Sequence, residues 1–295
     1  MTLTRLIVEP LVVPFADYGF MRRALVASFA LSLGSAPIGS LLVLRRMSLV
    51  GDAMAHALLP GAALGFIGAG FSLAAMSAGG FVAALAVALA AGFVTRSTAQ
   101  REDASFAAFY LIALALGVLL VSTHGSSVDL MHVLFGTILA VDDAALLLMA
   151  GVASLTLLAL AVVYRPLVVE CLDPGFLRNV GGRGPWVHTL FLVLTVANLV
   201  AGFQALGTLM AVGLMMLPAT AARFWAGEVW SLALTATLIA MLSNWIGLLL
   251  SYHAHWPSGP AIVLVAGVLY LVSLLAGWRE GLLWQGLRHR RHRVA

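Results

Sequence analysis

The sequence predicts an all-α integral membrane protein, a polytopic bundle of about eight or nine transmembrane helices. Three observations carry that prediction. Of 295 residues, 62% are hydrophobic and only 9% are charged, against about a quarter charged in soluble domains. The mean hydropathy is +1.05. Apolar runs of the roughly 20 residues needed to cross a bilayer recur along almost the whole chain. So little charge cannot cover a water-facing surface. In lipid the shortage is favourable, because an ionised residue at a helix centre costs about 2.5–3.5 kcal/mol.

In chain order, residues 1–19 form a short segment broken by Glu9, Pro10 and Pro14. It lacks a small-residue cleavage pattern and reads as interfacial rather than as a signal peptide. The transmembrane domain covers 20–277, with apolar runs near 24–44, 50–70, 72–94, 105–123, 143–164, 187–204, 205–222, 229–251 and 259–277. The 187–222 stretch is nearly continuous, so it is either two spans or one span plus a half-helix. Residues 278–295 form a basic tail suited to anionic lipid. Pro37, Pro60 and Pro218 fall inside apolar runs, and Gly34, Gly39, Gly61, Gly65 and Gly68 permit close helix contact. Interrupted helices of this kind either serve packing or build transport sites.

All sixteen basic residues are arginine. Without lysine the chain cannot form a Gly-Lys-Ser/Thr phosphate loop, so any ATP hydrolysis belongs to another subunit. The arginines sit beside helices, which does not suggest nucleic-acid binding. With nine spans and the N-terminus outside, thirteen arginines face the cytoplasm and only Arg5, Arg22 and Arg23 face out. The expected location is the cell (inner) membrane, multi-pass, with a cytoplasmic C-terminus. Cys171, the one cysteine, excludes an internal disulfide and reads as a buried or interfacial thiol.

Asp52 and His56 carry the sharpest chemistry. At i, i+4 they share a helix face, and an aspartate inside a span is costly enough to suggest function. A carboxylate with an imidazole is half a divalent-metal site, which a two-fold homodimer would complete with four donors. The alternative is an internal ion pair pinning two helices. The loop 165–186 contains Asp173-Pro174-Gly175-Phe176, a helix start, and Gly181, its stop. It is either a short surface helix for docking a partner or an ordinary connection. Asp129 and His132, after His124, read as loop residues that could guide a cation. His253 and His255 border the outer turn Pro257-Ser258-Gly259-Pro260. Asn198, Gln204 and Asn244 read as interhelical hydrogen-bonding groups.

The run Leu44-Arg45-Arg46-Met47-Ser48-Leu49-Val50-Gly51-Asp52-Ala53-Met54-Ala55-His56-Ala57, with Leu59-Pro60-Gly61 after it, resembles the zinc/manganese (ABC-3) family of ABC-transporter permeases. So does Leu206 to Arg223, with Asp129-Leu130-Met131 and Leu134 to Ala140 between the two and Pro257-Ser258-Gly259-Pro260 after them. The resemblance implies a type II ABC importer-like fold and a homodimer. It also implies two cytoplasmic ATP-binding subunits and an extracytoplasmic metal-binding protein. It assigns metal contact to Asp52 and His56, and ATPase coupling to the segment from Asp173 through Pro174, Gly175 and Phe176 to Gly181. His255 stands where many relatives carry an acidic residue. The expected role is therefore a permease without enzymatic activity or a resident cofactor, moving Zn2+ or Mn2+. Histidines near the outer mouth favour zinc, since imidazole suits it. The alternatives are a manganese or iron ABC importer, or an ion-gradient-driven transporter, which would need more ionisable residues in its spans.

Overall fold

The computed structural model describes residues 11–70, 72–124, 138–173, 176 and 184–284. Its elements are α1 (Gly19–Leu44), α2 (Ser48–Ala69), α3 (Leu73–Ser97), α4 (Glu102–His124), a 3-10 turn (Ile138–Ala140), α5 (Asp143–Leu172), α6 (Gly184–Ala222), α7 (Val229–Ala254) and α8 (Ser258–Ala276). Residues 11–17 are also helical. Among the described residues, eight helices are long and apolar enough to cross a membrane, and Leu209–Ala222 is a shorter apolar helix. The chain is a multi-pass, all-helical membrane protein.

The 187–222 stretch resolves into one full span and a short limb. Gly207 has φ 78 and ψ 167, a conformation essentially restricted to glycine. A Cβ on Gly202 would lie 2.8 Å from the Ala211 Cβ, whereas nine residues of unbroken helix span about 13.5 Å. The chain therefore doubles back at Gly207. The limb Gly184–Phe203 spans, and Leu209–Ala222 returns beside it.

α1 and the first limb of α6 form the centre, with 78% and 72% of their apolar windows buried, while α4 and α5 form the rim at 22% each. Two apolar clusters flank that centre. One packs α2, α3 and α4 against the first limb of α6, and the other packs α7 and α8 against α1 and the second limb. Buried amides tie the layers together. Asn198 Nδ2 donates to Thr156 Oγ1 at 2.8 Å, and Asn244 Nδ2 donates to Ser32 Oγ at 2.7 Å and to the Ser28 carbonyl at 3.1 Å. The Gln204 side chain lies outside the described residues.

The two ends of the bundle differ in charge. Leu44, Leu172, Arg223, Glu228 and Arg279 line one cavity of about 540 Å3. The C-terminal ends of α1, α5, α6 and α8 thus meet the start of α7, and Arg45 lies beside them. At the other end Tyr18 packs on Tyr252 at 5.6 Å, and Arg23 reaches Asp143 at 3.5 Å.

Candidate functional site

Helix α2 follows α1 after only three residues, Arg45 to Met47. Arg46 takes a left-handed φ of 58, and the Met47 amide donates back to the Leu42 carbonyl at 2.9 Å. The turn leaves no slack, so the position of α2 is set by the end of α1. At 1.5 Å rise per residue, Asp52 stands about 6 Å and His56 about 12 Å from the start of α2. Both therefore lie in the half of the helix nearer the arginine-bearing end.

The i, i+4 spacing does what a helix requires. His56 Nε2 lies 3.6 Å from Asp52 Oδ1, too long for a hydrogen bond and close enough for an ion pair or a shared cation. The Asp52 side chain is 55% exposed and that of His56 30%. They occupy a narrow open stripe with Leu49 and Leu64, while Val50, Ala53 to Ala55 and Ala57 to Ala63 are buried. A carboxylate facing hydrocarbon from this stripe would be costly, so protein or water must cover it. The His56 ring stacks on Tyr110 of α4, centroids 6.2 Å apart at 28°, and its Nδ1 is buried without a hydrogen-bond partner. Across from the adjacent Gly51 lies the Met216 thioether, with Sδ 3.5 Å from where a Cβ would be.

Among the described residues no group of three or more His, Cys, Asp or Glu side chains could hold a metal. The pair is thus a half-site with one carboxylate and one imidazole. The other candidates are elsewhere. His253 and His255 end α7 at the Tyr18 end, opposite Asp52; His253 meets Tyr252 edge-on at 5.2 Å, and His255 is the left-handed cap. Asp173 closes α5, and its Oδ1 accepts from the Phe176 amide at 3.0 Å, the bond an N-cap makes to the third residue of a new helix. Phe176 is helical and exposed. Pro174, Gly175, Gly181, Asp129, His132 and residues 285–295 of the basic tail lie outside the described residues.

Sequence reading missed Tyr110 and a buried cluster of Arg45, Glu170 and His188. Glu170 could have been noticed, because an acid inside the apolar run Leu167 to Leu172 needs a partner.

Residues 17–277 match the model of the ABC 3 transport family. The manganese import system permease protein ScaB of Streptococcus parasanguinis is 33% identical over 258 residues, covering 87% of this chain and 90% of its own. The manganese transport system membrane protein MntC of Listeria innocua is 32% identical over 269 residues, covering 91% and 94%. The solved structure of PsaBC from Streptococcus pneumoniae in complex with Fab superposes with a TM-score of 0.82 at 28% identity, covering 93% of this chain and 98% of that one. With nearly the whole described bundle inside the match, the chain belongs to the ABC 3 transport family as a membrane-spanning transport subunit rather than an enzyme.

Proposed function

We propose that this chain is the permease of an ATP-driven importer of a divalent transition metal, with Mn2+ as the cargo. In this reading two copies pair so that Asp52 and His56 of each hold the ion, and cytoplasmic ATP-binding subunits and an extracytoplasmic binding protein complete the machine. The observation that carries it is the Asp52–His56 pair, two metal donors 3.6 Å apart in the open stripe of α2. Half a site on a face that lipid cannot cover cheaply calls for a second copy.

Manganese replaces zinc as the favoured cargo for two reasons. Relatives covering nine-tenths of their own length against this chain are named for manganese. The histidines that favoured zinc, His253 and His255, sit at the end of the bundle opposite Asp52 and add nothing to its donor set. Two carboxylates and two imidazoles, with carboxylates able to bind through both oxygens and water filling the rest, suit an oxygen-preferring ion in six-coordination.

Orientation follows from the arginines. The end bearing Arg45, Arg46, Arg223 and Arg279 is taken as cytoplasmic, which puts Asp173 and Phe176 toward the ATP-binding subunits and His253 and His255 toward the binding protein. The test is uptake by the complete complex in proteoliposomes, with binding protein and ATP. Mn2+ uptake should fall at least about tenfold in Asp52→Asn and His56→Ala, since loss of even an outer partner of a metal costs that much, while the complex still assembles. Wild-type rates in both variants would remove the pair from the path, and uptake of Zn2+ in preference to Mn2+ would overturn the cargo.

A further inference from the structure

Three helix ends at the arginine-bearing end converge on one guanidinium. Arg45 caps α1. Its Nη1 lies 2.9 Å from Nδ1 of His188 near the start of α6, and its Nη2 lies 3.9 Å from Oε1 of Glu170 near the end of α5. The guanidinium also stands 5.5 Å over the Phe191 ring. All three polar residues are withdrawn from solvent, with the Arg45 and Glu170 side chains each 7% exposed and His188 5%. A guanidinium only donates, so His188 Nδ1 is the acceptor and the ring proton sits on Nε2. That edge faces α3, where a Cβ on Gly92 would lie 3.7 Å away.

The connectivity gives this cluster its meaning. Glu170 lies just before the 173–183 connection and His188 just after it, so both feet of that connection rest on Arg45. On its other side Arg45 is joined through Arg46 and Met47 alone to α2, the helix of Asp52 and His56. A buried ion pair adds little net stability compared with apolar packing, but it holds a strict geometry, and two such geometries make a switch.

We propose that Arg45, with Glu170 and His188, is the positioning element that passes displacement of the 173–183 connection to the Asp52–His56 half-site. It links ATP hydrolysis to opening of the ion path. This rests on the proposed role of the 173–183 segment in docking the ATP-binding subunits.

The test uses the complete complex in proteoliposomes, measuring assembly, basal hydrolysis, Mn2+ affinity, Mn2+-stimulated hydrolysis and ions moved per ATP. Glu170→Gln keeps the volume and hydrogen-bonding capacity of the side chain, and Arg45→Lys keeps the charge but loses the two-pronged reach. Both should assemble, keep basal hydrolysis and bind Mn2+ within about twofold of wild type. Ions moved per ATP should fall at least about fivefold, the lower range of coupling between distant sites. Unchanged ions per ATP in both variants would overturn the proposal. So would joint loss of assembly, basal hydrolysis and binding in both, which marks a static support. A wild-type complex without Mn2+-dependent uptake would instead overturn the transport reading itself.

Discussion

Alanine at Gly61 or Gly79 should destabilise the bundle, while alanine at Gly267 should not. Helices α2 and α3 touch backbone to backbone at Gly61 and Gly79. A Cβ on Gly61 would stand 2.5 Å from the Gly79 carbonyl carbon and 2.7 Å from the Ala83 Cβ, and one on Gly79 would stand 3.0 Å from the Gly61 carbonyl carbon. Carbon atoms settle at about 3.5–4.0 Å, so the helices must part by about 1 Å to admit a methyl. Overpacking of this kind costs about 1–3 kcal/mol. Alanine regains about 0.5–1 kcal/mol over glycine inside a helix, which leaves a net loss of up to about 2.5 kcal/mol for each variant. Gly267 has no atom within 4 Å of its would-be Cβ, so only the gain applies there. One separation of the helices admits both methyls, so the Gly61→Ala/Gly79→Ala double variant should cost less than the sum of its parts. Reversible unfolding of the detergent-solubilised chain measures all four variants. A stabilising Gly61→Ala, or strict additivity in the double variant, would refute the close approach of α2 and α3.

Other consequences follow from single positions. Gly207→Ala should cost about 1–3 kcal/mol, because its φ of 78 with ψ 167 strains any residue bearing a Cβ; a neutral result in the same unfolding assay would mean that α6 does not double back there. Asn244→Leu removes the bonds to Ser32 and Ser28. At about 0.6 kcal/mol per bond on average and 1.7 at most in a bilayer, it should cost about 1–2 kcal/mol. Ser32→Ala should cost about half that, and an Asn244→Leu variant as stable as wild type would show that these bonds do not tie α1 to α7.

What was readable in the sequence divides along physical lines. The spans were readable because a bilayer demands long apolar runs, and Asp52 and His56 because helical spacing alone puts them on one face. The length of the 187–222 run announced a break within α6, but not its position, since hydropathy is the same on both sides of Gly207 and nothing distinguishes that glycine among 29. Only its backbone angles reveal the turn. The Arg45–Glu170–His188 cluster was hidden by distance, with Arg45 and His188 separated by 143 positions, and only convergence of three helix ends unites them. Counting histidines is a poor guide to the cargo, because their number says nothing about which end of the bundle holds them.

The most direct test of a metal site shared by two copies is a Mn2+ titration followed by electron paramagnetic resonance on the purified complex. A shared site predicts one tightly held Mn2+ for every two copies of this chain, and loss of that ion in both Asp52→Asn and His56→Ala. One tight ion per single copy, or tight binding that survives both substitutions, would contradict it.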